Sequence, residues 1–195
     1  MSAPGRGWAP TSLAQVAWAT VTAAQAEPQR YRLDPAHTFV HFEVMHFGTS
    51  TLRGRFGPLD GEVEIDPAEG RGQLSLVIPT GSLDTGLKAL DQRLCARDLL
   101  ACEAEPRAYF VAARFTFREG LLTEVRGEFT LRGIGQPLSL IARHFGCYRH
   151  PLLQREVCGG DFEAELKRSD FGASFGLPFV ADRVRLKIQV EGIRQ

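Results

Sequence analysis

Two imidazoles and two thiols fall within fifteen residues of this 195-residue chain, in the pattern His144-x2-Cys147-x2-His150-x7-Cys158. That is a ligand set for a tetrahedral zinc ion. In an oxidising space the two thiols would instead join, closing a short loop worth somewhat under about 3 kcal/mol by chain entropy. Gly172-Ala173-Ser174-Phe175-Gly176 fits the G-x-S-x-G of a hydrolase nucleophile elbow. That chemistry needs a strand–turn–helix setting, with an acid and then a histidine later in the chain. The last histidine, His150, precedes Ser174, so the set is incomplete. Asp170-Phe171-Gly172 matches a kinase metal-binding triplet, but no phosphate-binding Gly loop or catalytic loop accompanies it. His37, His41 and His46 suggest a metal until strand geometry is applied. On one strand His37 and His41 share a face and His46 takes the other, so the three cannot converge on one ion. No coherent catalytic set emerges. The expectation is a non-enzymatic protein that requires no metal and no redox cofactor. The 23 basic side chains against 23 acidic ones also exclude the strongly basic surface of a nucleic-acid binder.

The elements that must position these residues are mostly strands. Phe39-Val40-His41-Phe42-Glu43-Val44-Met45-His46 alternates with period two, placing Val40, Phe42, Val44 and His46 on one face. The same alternation recurs at 62–65, 74–78, 115–117, 129–131, 138–140, 162–166 and 184–190. Turn residues such as Gly57-Pro58, Asp66-Pro67 and Glu119-Gly120 separate these runs. Short alternating strands with frequent turns read as an all-β sandwich or closed barrel. The main candidate helix spans about Thr85–Leu100 with Asp84 as N-cap. Phe145–Gly160 reads as irregular. A barrel of about eight strands either fills itself with side chains or keeps a cavity for one small ligand. The inward positions, largely Val, Leu, Ile and Phe, would suit an apolar ligand. His46, polar on that apolar face, needs a partner there, either the ligand or Ser50.

Residues 1–26 read as a signal peptide. Leu13–Ala24 is a mildly apolar core, and Ala24-Gln25-Ala26 supplies the small-residue cleavage pattern. Cleavage would leave residues 27–195 as one domain, without Trp8 and Trp18. Export favours the Cys147–Cys158 disulfide over zinc. Cys95 and Cys102 are a second candidate pair that the sequence leaves open. On one continuous helix their Cα atoms would lie about 10.5 Å apart, beyond the roughly 7 Å limit of a disulfide. Pairing them requires the helix to break.

Five blocks in register resemble the YceI-like proteins, a bacterial polyisoprenoid-binding family. They are Leu33-Asp34-Pro35-Ala36-His37-Thr38-Phe39 running on to Gly48, Thr49–Phe56, Ser82-Leu83-Asp84-Thr85-Gly86, Gly127–Gly133 with Pro137, and Lys167-Arg168-Ser169-Asp170-Phe171-Gly172. The resemblance spans residues 31–192. It implies an extended, lipocalin-like antiparallel β-barrel with a short helix near its mouth, exported to the periplasm. Such a barrel would hold a long isoprenoid chain, a quinone or a polyprenyl lipid, which would count as ligand and cofactor alike. Strand parity and the family's register together add Phe110, Phe129, Leu131, Phe171 and Phe175 to the lining. A membrane donor or acceptor of the ligand, and a homodimer, are compatible with that reading. At the helix the chain has Leu90-Asp91-Gln92-Arg93-Leu94 where the family usually shows Arg-Asp-x-His-Leu, so the family's headgroup preference does not carry over. The competing expectation is a packed β-domain without lipid, acting through its surface as a stress or assembly partner.

Overall fold

The computed structural model describes residues 28–66 and 69–195, and the leader segment 1–26 lies outside them. Every alternating run becomes a strand. The strands are β1 Gln29–Leu33, β2 Phe39–His46, β3 Ser50–Phe56, β4 Asp60–Asp66, β5 Arg71–Pro79, β6 Arg107–Arg118, β7 Leu121–Leu131, β8 Ile134–Arg149, β9 Glu156–Lys167 and β10 Val180–Arg194. Among the described residues one short α-helix, α1, covers Lys88–Leu94. All pairings are antiparallel, and β4 through β10 follow each other to β1, which pairs with both β4 and β10. The result is a closed eight-strand barrel with β2 and β3 as an extension.

The extension has a simple cause. β1 and β2 lie end to end along β10, which pairs Gly192–Arg194 with β1 and Val180–Gln189 with β2. β4 and β3 lie end to end beside them in the same way. The ladder breaks at Asp34-Pro35 and at Gly57-Pro58, where proline brings no N–H to the sheet. Ten strands therefore occupy eight positions. Among the described residues no strand lies beside the outer edge of β3. A single bridge covers it, in which Arg55 and Asp84 exchange backbone hydrogen bonds of 2.9 Å. The segment 80–106 thus fills the gap left between β3 and β5.

The break at residues 34–38 is held by a charged pair, His37 Nδ1 lying 2.6 Å from Asp34 Oδ2. The hydrogen bond to His37 lowers the Asp34 pKa, and the reciprocal bond to Asp34 raises that of His37. The raised imidazole stabilises the fold below its unfolded value, about 6.5, and that contribution fades as pH rises through the folded one. The lowered carboxyl stabilises above its unfolded value, about 4, and its contribution fades as pH falls through the folded one. The pair is therefore at full strength between about pH 4 and 6.5. Exposure keeps the effect small. A His37→Asn variant should lose the part of the fall in thermal stability that the pair causes on either side of that window, and unchanged shoulders would remove the pair from the account.

Inward side chains fill the half of the barrel near the 118–121 and 150–155 turns. Leu33, Leu59, Ile65, Phe115, Val125 and Phe162 are all buried there. A Cβ on Gly72 would stand 2.8 Å from the Phe115 ring, so glycine at that position lets the ring lie inside. Two expectations need correction. The helix is shorter than 85–100, and Leu87, without a side-chain cap, holds its N-cap position. Asp84 instead accepts from Gly86 N at 2.9 Å, while Asp91 Oδ1 accepts from Thr85 N and Oγ1 at 2.8 and 2.7 Å. Residues 145–160 are not irregular but form the β8–β9 hairpin, with Cys147 directly opposite Cys158. Gly159 and Gly160 hide the pattern, since a Cβ there would stand against the carbonyls of Val190 and His144.

Candidate functional site

The other half of the barrel is hollow. A cavity of about 320 Å³ runs from the level of Val40, Leu76, Leu140 and Ile188 to the end where the 47–49 turn, the 80–106 segment and residues 168–179 meet. That volume falls in the range of sites that take small molecules, about 300–1,000 Å³. Its walls are the inward residues of β2, β3 and β5 to β10, nearly all hydrocarbon or phenyl. The packed half closes it below, so the cavity is blind. Phe42 reaches across β3, where a Cβ on Gly54 would stand 2.5 Å from its ring.

The lid comes from the 80–106 segment, whose Leu90, Leu94, Leu99 and Leu100 line the cavity. The helix ends at Leu94, which turns the chain back and brings Cys95 and Cys102 together as a disulfide with Cα atoms 4.9 Å apart. This is the break that pairing required. Arg132 donates to the carbonyls of Arg97 and Leu99, tying the lid to the β7–β8 turn. The second disulfide, Cys147–Cys158, is cross-strand with Cα atoms 4.1 Å apart, and takes both thiols of the zinc pattern. Tyr31 covers it, its hydroxyl lying 2.7 Å from Gln29 Oε1 and 2.8 Å from Glu156 Oε1, with one hydrogen to share between them. Burial first, then the bond to Glu156, pushes the Tyr31 phenol up to about 12. Peptide mapping without reductant should find both pairs. Two free thiols at 147 and 158 with one bound zinc would return the site to metal chemistry. Cys147→Ala/Cys158→Ala should lower stability by under about 3 kcal/mol.

Polar groups are few and gather at the open end. Arg93 forms a two-pronged pair with Asp98 at 2.7 and 2.8 Å, and its guanidinium lies 4.2 Å from the Phe175 ring centre. It thereby links the lid to the 172–179 loop across the mouth. His46 faces the cavity, with its ring edge-on to Phe47 at 4.7 Å. Thr80 is buried, and its hydroxyl donates to Glu105 O at 2.8 Å. Arg168, 8% exposed, donates to four backbone carbonyls: Ala173 at 2.5 Å, Phe175 and Val180 at 2.8 Å, and Ala181 at 2.9 Å. Burial lowers its pKa from the usual guanidinium value, partly offset by Asp182.

Of the residues singled out from sequence, Val40, Phe42, Val44, His46, Phe110, Phe129, Leu131 and Phe175 all line this one cavity. Phe171 does not. It belongs to a 3-10 turn, Arg168–Phe171, where strand parity has no meaning, and it packs edge-on behind Phe129 at 5.5 Å while only 2% exposed. Ser174 lies in the loop after that turn with no helix following, so it is not a nucleophile elbow. Sequence reasoning missed Arg168, Arg93 and the lid leucines. It also missed Leu76, Ile78, Leu138 and Leu140, which the alternation already applied to β2 would have found in β5 and β8.

Residues 31–192 match the family model described as the YceI-like domain. A UPF0312 protein of Pseudomonas paraeruginosa is 32% identical over 180 residues, covering 91% of this chain and 93% of its own. Protein YceI of Salmonella arizonae is 30% identical over 187 residues, covering 94% and 95%. Among solved structures, Burkholderia cenocepacia BcnA has a TM-score of 0.65 at 22% identity, over 82% of this chain and 98% of its own. A polyisoprenoid binding domain from Saccharophagus degradans, implicated in plant cell wall breakdown, has a TM-score of 0.59 at 17% identity, over 85% and 98%. At those identities the two structures speak to the fold alone.

Proposed function

This chain belongs to the YceI-like domain family, and on that premise we propose that it is an exported, non-enzymatic protein holding a long apolar ligand in its barrel. The observation that carries the reading is the blind, hydrocarbon-walled cavity with its few polar groups at the mouth. The driving force is desolvation, about 0.8 kcal/mol for each CH₂ taken out of water. A long isoprenoid chain, on a quinone or a polyprenyl lipid, matches such walls, and a polar headgroup would sit toward Arg93 and His46. The Saccharophagus degradans domain, described as polyisoprenoid binding, supports the same ligand class. Its role would be transport, storage or a stress response. Two disulfides and the Ala24-Gln25-Ala26 pattern support periplasmic residence after loss of residues 1–26.

Protein purified from the extracytoplasmic fraction, without detergent, should yield an isoprenoid lipid on organic extraction. Its chain should begin at Glu27 and show no tryptophan emission, since Trp8 and Trp18 leave with the leader. An empty extract would favour the packed-domain reading, and tryptophan emission from that fraction would overturn cleavage of residues 1–26.

A further inference from the structure

We propose that the aromatic rim of the cavity mouth is a membrane-docking surface that seats against a phospholipid bilayer. Phe47, Phe175 and Phe179 are 57, 56 and 63% exposed. Phe47 and Phe179 stack with centroids 5.5 Å apart, and His46 joins Phe47 to the cavity wall. Phe175 lines the cavity while standing half in solvent, so wall and rim are one continuous apolar surface.

The backbone makes the placement of Phe47 deliberate. Three hairpin turns put a non-glycine residue and then glycine in the left-handed region: Phe47-Gly48, Glu119-Gly120 and Arg132-Gly133. The first residue is charged at two of them. At the mouth it is a phenylalanine with φ +50°, which combines backbone strain with an exposed ring. The stack on Phe179 covers only part of that ring, and more than half of its surface stays in water. Phe47 N donates to Phe179 O at 2.7 Å, so the amide that carries the exposed ring needs no water.

Area and chemistry select the occupant. The three rings expose roughly 350 Å² together, the scale of a functional patch on a monomer. A stable protein–protein contact needs about 800 Å² from each partner. A ligand that loses about 0.8 kcal/mol per CH₂ in water needs a hydrocarbon phase at the opening. That last step rests on the lipid-holding reading, whereas the rim's own geometry does not.

The test is flotation with phosphatidylcholine vesicles and with phosphatidylethanolamine/phosphatidylglycerol vesicles. All variants are expressed from the whole chain, with the N-terminus of each determined by mass. Phe47→Ser/Phe179→Ser should cut partitioning roughly tenfold on both vesicle types, as two half-exposed rings lose their transfer. Leu152→Ser/Leu153→Ser, which alters exposed leucines in the turn at the far end, should leave it unchanged. Binding should persist at high salt, because no charge pair is screened. No vesicle binding, equal loss in both variants, or loss at high salt would overturn the proposal. So would a change from dimer to monomer in the rim variant alone, which would assign the rim to a second copy. Organic extraction of the same preparations separates the two readings. Lipid in the extract without vesicle binding sinks only the rim, and rim-dependent binding with an empty extract sinks only the ligand.

Discussion

Protein carrying Val44→Trp should purify without lipid and yet remain folded. Val44 stands between Leu52 on β3 and Val184 on β10, with Phe42 below it and His46 above. All five residues line the cavity. An indole there projects across the passage between mouth and floor. Overpacking a filled core costs typically 1–3 kcal/mol, whereas open space accepts the added atoms for under about 1 kcal/mol. Loss of lipid with a small stability change is therefore the result expected of a hollow barrel. A large destabilisation with lipid still bound would place the ligand elsewhere. The control is Met45→Trp, one residue on and exposed outside the barrel. Glu43 is the wrong outward control, because its carboxylate pairs with Arg53 at 2.9 Å and lies near Arg185 and Lys187 at 3.7 and 3.8 Å. Those cations hold its pKa low, the Arg53 hydrogen bond being the largest cause.

Arg168→Met should be the most damaging single change outside the packed half. One guanidinium satisfies four carbonyls of the 172–181 segment, and Ala173, Phe175 and Val180 of that segment form one wall of the mouth. Methionine fills similar space but donates nothing, so several carbonyls lose their partner. Hydrogen bonds from a charged group contribute about 1.5–3 kcal/mol each, with strong overlap when one side chain makes all four. A loss of about 3–4 kcal/mol follows, or roughly 10 °C in Tm for a chain of this size. Arg168→Lys should recover only part of it, since one ammonium cannot span the four acceptors. Stability within about 0.5 kcal/mol of the parent for Arg168→Met would show that the loop holds without it.

The sequence was most legible where one rule governs a long segment. Alternation located β2 and its inward face, because a half-buried strand must sort its side chains by parity. It found less of β8 and β9, where glycines at 146, 159 and 160 interrupt the pattern for the sake of close backbone approach. Phe171 misled because an apolar residue at a strand's end can leave the ladder for a 3-10 turn and pack behind the wall. The lid could not be read from period at all. Its leucines belong to a seven-residue helix and a disulfide-closed return, neither long enough to show a repeat. Arg168 was quoted inside a family block without a role. Its meaning lies in carbonyls five to thirteen residues away, which only the folded loop brings together.

The seam of the barrel joins the first strand to the last, with Tyr31 opposite Arg194. Nothing nearer in the chain can close it. The strand that seals the sheet, β10, is therefore the last of the ten to be made. Until then the nascent chain offers two unpaired edges and an uncovered apolar face. Such a chain cannot lock into a native barrel before β10 is made. The cavity is likewise deferred, because Val180, Val184, Leu186 and Ile188 of that final strand form part of its wall.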